Sequence, residues 1–523
     1  MDRAPSRRDW WLASLAPFLG LLLFRPWVRQ AFPVWDYPDV LGILRNNPGV
    51  FDGAGAIAVW NRPAGRATYL SYLHYSTTWS LVGADAVGWQ IARAIIMLTT
   101  GVLLVWVARR LGATPVAAAV AAGVWAVAAT STEGWLLLAG EQIGTLFLLL
   151  TALVAAGYTT SPAWKLRGVL MAVLCACVMF AKETVALCLP LVVLLAVCWD
   201  PEQGVRRPRF GPRERWLGAL LLLVVALGVW QVGSAVSGAM SNSYASAFGR
   251  EGLDGNRAVI LFQAMFLPAR FASAGIGTTF YPANLAFLLL VALGLLMAAR
   301  DQVAPTGWGW LVAGLLLFPI IGALVYALWP RYTSYYGIPF FTGSALLLAL
   351  VATRVERRGI SGRVIVAVLG VIAMLFTGLA SARTVRHRNA TASLAARITG
   401  ELSGNPRLDT LLVVTPRQGG RRWPVNASEL TSYAMFMGIP DSMIPVMRDA
   451  SCEEIVSRLQ RPLGRSAVLN DQNPCGRLPG QTRTWEEDLN YLDWTSWRRI
   501  PLSMRVDLLA PSWAPGDRRP DPT

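Results

Sequence analysis

Long apolar runs recur from near the N-terminus to about residue 381, and short stretches carrying Arg or Lys separate many of them. Each crossing of a bilayer takes about 20 mostly apolar residues, with every backbone amide bonded inside its own helix. A soluble chain has no use for so many such runs. An all-α polytopic membrane protein is therefore nearly forced. Hydrophobic residues make up 54% of the 523 positions and charged residues only 15%, and mean hydropathy is positive.

The runs place about eleven transmembrane helices. They lie near 10–28, 86–108, 114–131, 141–158, 166–181, 184–199, 216–238, 283–299, 307–329, 337–353 and 364–381. Arg3, Arg7 and Arg8 precede the first run, and no small-residue cleavage site follows it. This predicts a retained span with a cytoplasmic N-terminus. Arg109 and Arg110, Lys165 and Arg167, the arginines between 206 and 215, Arg300 and the arginines between 354 and 363 then all face the cytoplasm. The short outer connections carry only Lys182 and Arg331. That asymmetry is the positive-inside pattern. It accounts for much of the net charge of +16 without invoking nucleic acid, for which no basic stripe with interleaved aromatics exists. The expected location is the inner (plasma) membrane, crossed many times.

Three segments fall on the outer side of this scheme. The first is the loop 29–85, too polar for lipid and too long for a mere connection. Within it, the aromatic stretch Tyr69–Leu81 predicts a helix at the outer interface. The second is the loop 239–282, and the third is everything after the last span. Residues 1–385 thus form the transmembrane domain and 386–510 a small extracytoplasmic α/β appendage. The appendage has a strand over 408–414 and a helix over 428–437, and 511–523 reads as a disordered tail. Cys175, Cys177, Cys188 and Cys198 lie in apolar runs as small hydrophobes. Cys452 and Cys475 lie in the outer part, where a disulfide is permitted.

Ionisable residues gather at the outer span ends. They are Asp36 and Asp39 after the first span, Glu133 and Glu141 around the third and fourth, Lys182 and Glu183 between the fifth and sixth, and Arg331 with Tyr332 late in the chain. Charge at membrane depth is costly, so a cluster on one face marks a functional site. Arg93, about two turns into the second span, either faces a cavity or snorkels outward. His74 reads as a packing or headgroup residue, and His387 as part of a basic collar. No nucleophile elbow and no phosphate-binding loop is present.

The run Phe180-Ala-Lys-Glu-Thr-Val-Ala-Leu-Cys-Leu-Pro190 resembles a segment of the GT-C glycosyltransferases. The resemblance is nearest to the transmembrane O-mannosyltransferases that carry tetratricopeptide repeats, and to their bacterial relatives. Glu133-Gly-Trp135 with the following Gly140–Phe147, Arg62-Pro63 with the aromatic stretch to Gly83, Ala108–Gly112, and Arg331-Tyr332 are similar to their other motifs, in the same order. The resemblance covers about residues 10–385. Its loop acids are Asp36-Tyr-Pro-Asp39 rather than an adjacent pair, so both stay candidates, and no tetratricopeptide repeats follow.

Such a family implies sugar transfer from a polyprenyl-phosphate donor to an acceptor hydroxyl at the outer face. Asp36 or Asp39 would take the hydroxyl proton. Arg331, Lys182 and Arg93 would hold the donor phosphate, with Glu133, Glu141, Glu183, Tyr332 and Arg62 in support. A divalent metal (Mg or Mn) shared by Asp36 and Glu133 remains open. The partners are a lipid-linked sugar, membrane lipids, and a glycan, lipid or protein acceptor. Two other readings stand beside it: a transporter or flippase for lipid-linked glycans, and a polysaccharide polymerase or ligase.

Overall fold

A computed structural model describes residues 6–18, 37–62, 66, 68–136, 138–156, 158, 161–200, 204–205, 211–241, 255–269, 281–300, 307–327 and 334–404. It further describes 408–415, 446–448, 451, 453–454, 465–469, 481–493 and 498–509. The chain forms two compact units. One joins Met1–Val28 to Asn47–Val385, and the other joins Arg29–Asn46 to Arg386–Thr523.

The described helices are α1 (Arg7–Ala13), α2 (Tyr37–Asn46), α3 (Val50–Asn61), α4 (Tyr69–Val82), α5 (Ala86–Arg110), α6 (Pro115–Val127), α7 (Ala129–Leu136) and α8 (Gly140–Ala155). They continue with α9 (Trp164–Ala181), α10 (Glu183–Ala186), α11 (Leu189–Cys198), α12 (Pro212–Ser241), α13 (Gly255–Phe266), α14 (Pro282–Arg300), α15 (Trp308–Ala327), α16 (Ile338–Glu356) and α17 (Ile360–Gly404). All but α2 and the distal part of α17 belong to the first unit.

Local chemistry sets the helix starts. Ser6 and Asp9 cap α1 reciprocally. Asp85 caps α5 by accepting from the amides of Val87 and Gly88 at 3.1 and 2.9 Å. Pro115 opens α6, where its missing N–H costs nothing.

Seven described helices are long and apolar enough to cross a membrane, with an eighth if the bent pair α6–α7 counts as one span. Two shorter apolar stretches, Gly140–Ala155 and Glu183–Leu195, complete the set. The second half of the expected first span, from residue 19, lies outside the described residues.

Helix α16 is the axis of the first unit, and all its residues are buried. It packs against α6, α14 and α15. Glycines set these approaches: a Cβ on Gly294 would collide with the Val351 backbone, one on Gly343 with Phe318, and one on Gly322 with Phe340. Lipid is as apolar as Leu, so helices in a membrane associate by such close packing rather than by hydrophobic exclusion.

The span expected as one piece over 114–131 breaks instead at Ala128, where the chain turns by 54°. The freed backbone groups find partners elsewhere. The Ala129 amide donates to the Pro268 carbonyl at 2.8 Å, and the Ser381 hydroxyl donates to the Val127 carbonyl at 2.7 Å. A helix can break at membrane depth only when its backbone is re-satisfied in this way. The break turns α7 so that Gly134 meets α5.

Much of the loop 29–85 is helical, with α2, α3 and α4 in it. Helix α4 covers the predicted aromatic stretch, but it buries Ser71, Tyr72, Tyr75, Ser76 and Thr78 rather than an apolar stripe. In the first unit β1 (Trp199–Asp200) and β2 (Gly204–Val205) pair antiparallel. In the second unit β3 (Leu408–Thr415), β4 (Val446–Arg448) and β5 (Arg465–Leu469) form a parallel sheet in the order β4-β3-β5. The strands β6 (Gln481–Asp493) and β7 (Arg498–Leu509) pair as a long antiparallel hairpin. The expected strand over 408–414 coincides with β3. The expected helix over 428–437, both cysteines of the outer part, and the tail 511–523 lie outside the described residues.

Candidate functional site

Lys182 ends α9 in an extended conformation and passes the chain directly into α10. Its Nζ lies 3.3 Å from Glu141 Oε1 and 3.7 Å from Glu183 Oε1. All three residues are buried, at 8%, 0% and 6% exposure for Lys182, Glu141 and Glu183. Two glycines permit the approach: a Cβ on Gly140 would press on the Ala181 carbonyl at 2.9 Å, and one on Gly144 on Val185 at 2.9 Å. The Ser71 hydroxyl of α4 donates to that same Ala181 carbonyl at 2.7 Å and ties the loop helix to the turn.

Aromatic groups close the other side. The Lys182 ammonium sits 5.6 Å above the Tyr336 ring, which stacks on Tyr326 at 4.9 Å with the planes 5° apart. The Tyr326 hydroxyl donates to Thr184 Oγ1 at 3.1 Å. Arg66, half-buried ahead of α4, is near enough to Glu183 to feel its charge and lies close to Tyr336, Tyr335 and Tyr72. Desolvation opposes the Lys182 charge, but Glu141 and then Glu183 outweigh it and hold the amine above its ordinary value. The lysine is a fixed cation at any ordinary pH. Burial raises the Tyr72 phenol, which therefore stays protonated.

Two cations and two carboxylates thus share one enclosed site. Buried ion pairs seldom repay their desolvation, so stability alone does not account for them. Glu141 Oε2 and Glu183 Oε2 are buried, with no hydrogen-bond donor among the described residues. Such oxygens suit the hydroxyls of a sugar, and the adjoining cations suit a phosphate.

Arg93, the buried cation of α5, is 1% exposed and donates from Nη1 to the Gly134 carbonyl at 2.9 Å. It does not snorkel. Its neighbour Glu133 is buried as well, at 7%. The His74 ring is partly buried on α4, and burial, aided by the charge of Arg93, pushes it down to about 4. Arg62 is exposed at the C-cap of α3. Asp39 lies in α2, in the second unit, while Asp36, Arg331 and Tyr332 fall outside the described residues.

No family model matches the sequence, and no curated protein matches it. Solved structures do. The Archaeoglobus fulgidus oligosaccharyltransferase in complex with Zn and sulfate matches at 12% identity and a TM-score of 0.42, over 82% of this chain and 61% of that one. The same enzyme tethered to an acceptor peptide matches at 12% identity and 0.46, over 89% and 69%. ArnT from Cupriavidus metallidurans bound to undecaprenyl phosphate matches at 13% and 0.45, over 96% and 98%. The chain spans about three-fifths to two-thirds of the archaeal enzyme's length. These neighbours are glycosyltransferases of the GT-C superfamily.

Among the described residues no group of three or more His, Cys, Asp or Glu side chains converges as a metal site. The pairing of Asp36 with Glu133 around a cation involves a residue outside them. Sequence reasoning missed Arg66, Tyr326 and Tyr336. Arg66 stands in the polar loop only four positions after Arg62, and a Tyr-rich run follows Arg331. Only the first of these singles out its residue.

Proposed function

We propose that the protein is an integral-membrane glycosyltransferase. It moves a sugar from a polyprenyl-phosphate donor to an acceptor hydroxyl at the extracytoplasmic face. The observation that carries this reading is the buried Lys182, held between Glu141 and Glu183 against Tyr336. A lipid phosphate gathers negative charge as its bond to the anomeric carbon breaks. Preorganised cations in a dry site stabilise that charge more than water does. Lys182 and Arg66 take this role, with Arg331 and Arg93 as further phosphate cations. Asp36, or Asp39 in its place, accepts the acceptor proton as the new C–O bond forms. The carboxylates of Glu141 and Glu183 orient the sugar hydroxyls.

The paired broken helices that a transporter would use are not seen among the described residues, where one bent pair occurs. A polymerase or ligase would hold its large outer loop late in the chain, whereas the acids here stand in the early one.

The test is transfer by the purified protein from a panel of radiolabelled polyprenyl-phosphate monosaccharides. Lys182→Met should lower the rate about 10²–10³-fold, and Asp36→Asn about 10²-fold or more, at unchanged yield of folded protein. Wild-type rates in Lys182→Met, or in both Asp36→Asn and Asp39→Asn, would refute the mechanism.

A further inference from the structure

At the end of the first unit away from Lys182, α1, α5, α6, α16 and α17 border a cleft of about 1010 Å³. Helix α5 joins the two ends, with Arg93 at one and Arg109 roughly 24 Å further along its axis. The cleft is at the upper limit of ordinary ligand pockets. Its lining is graded from apolar to basic. Val116, Ala119 and Val120 of α6 stand along one part with Ala367, Val371 and Met374 of α17. Arg109, Arg357 and Arg363 stand at the mouth with Asp9 and Glu356.

Both acids at the mouth are engaged. Asp9 Oδ2 accepts from the Ser6 amide at 2.7 Å and the Ser6 hydroxyl at 2.9 Å. Glu356 accepts from the Thr114 hydroxyl and pairs with Arg363 Nε at 3.5 Å. Among the described residues no ion pair holds Arg109 or Arg357. The Arg109 guanidinium lies 5.2 Å over Trp10 and 5.1 Å over Trp106. Stacking on indoles fixes its plane and leaves its N–H edge for an anion.

We propose that this cleft binds an anionic phospholipid of the surrounding leaflet. Its phosphate sits on Arg109 and Arg357, and one acyl chain lies along α6 and α17. A free anion would use the mouth and leave the apolar wall without purpose. Val116 and Val371, at 40% and 54% exposure, leave that wall open at the surface of the unit, where an acyl chain can reach it. The basic end of a span is where anionic headgroups collect.

The experiment measures lipid retained by the full-length protein from micelles with equal phosphatidylglycerol and phosphatidylcholine, read by native mass spectrometry. Wild type should keep phosphatidylglycerol in about tenfold preference. Arg109→Ala with Arg357→Ala should lose most of it. Arg110→Ala with Arg358→Ala, exposed neighbours that do not line the cleft, should keep it. Equal retention of the two lipids by wild type overturns the proposal. An equal loss in both double variants also overturns it, since the attraction would then be diffuse charge. Should the first variant fail to purify as a monodisperse species, Ala119→Phe decides. It fills the apolar slot and should lower phosphatidylglycerol retention, whereas unchanged retention overturns the proposal.

Discussion

Lys182 and Glu183 announce themselves in the sequence because charge between two apolar runs has no cheap structural explanation. Their partner Glu141 does so for the same reason. Tyr326 and Tyr336 do not, because an aromatic in or beside an apolar span reads equally well as core. Only the fold makes the stack that faces the ammonium visible. His74 has a consequence that can be measured. Its folded value near 4 lies below the ordinary 6.5, so the unfolded chain takes up a proton that the folded one refuses. Stability from this residue is whole above pH 6.5 and is lost progressively as pH falls toward 4. Allowing for the ring's partial exposure, the loss is about 2 kcal/mol. In detergent, the wild-type melting temperature should fall across that window more than that of His74→Phe. Parallel curves for the two proteins would show that the imidazole sits in an ordinary aqueous setting.

At the scale of elements, hydropathy located the apolar segments but not their continuity. Nothing in the run 114–131 marks Ala128 as a break, because the groups that permit it, the Pro268 carbonyl and the Ser381 hydroxyl, are remote in sequence. Helix pairing was equally hidden. Gly294 looks like any glycine in an apolar run, yet on α14 it faces the Val351 backbone of α16, which cannot yield as a flexible side chain would. Gly294→Ala should therefore force α14 away from the buried axis and cost about 1–3 kcal/mol. That appears as a lower melting temperature of the purified protein. Gly218→Ala on α12, where a Cβ meets nothing within 4 Å, should be neutral or slightly stabilising. Equal effects of the two substitutions would mean that helix propensity, and not the approach of α14 to α16, governs the site.

For the whole molecule, the proposed chemistry depends on which face of the membrane holds Lys182. The same helix, α5, carries the exposed Ala84 connection at its start and Arg109 and Arg110 at its end. Orientation of this one span therefore fixes both the buried ion cluster and the basic cleft. In the orientation expected from the sequence, Arg109, Arg110, Arg357, Arg358 and Arg363 stay on the cytoplasmic side by the same bias that orients most multi-span proteins. In a variant with all native cysteines replaced, Ala84→Cys should react in intact cells with a membrane-impermeant maleimide. Arg358→Cys should react only after permeabilisation. Ser451→Cys, exposed in the second unit, should follow Ala84→Cys, because the last span is expected to deliver that unit to the outer side. The reverse pattern would turn Lys182, Glu141 and Glu183 toward the cytoplasm. A donor presented at the extracytoplasmic face could not then reach them, and the proposed reaction would have to be abandoned whatever the geometry of the cluster.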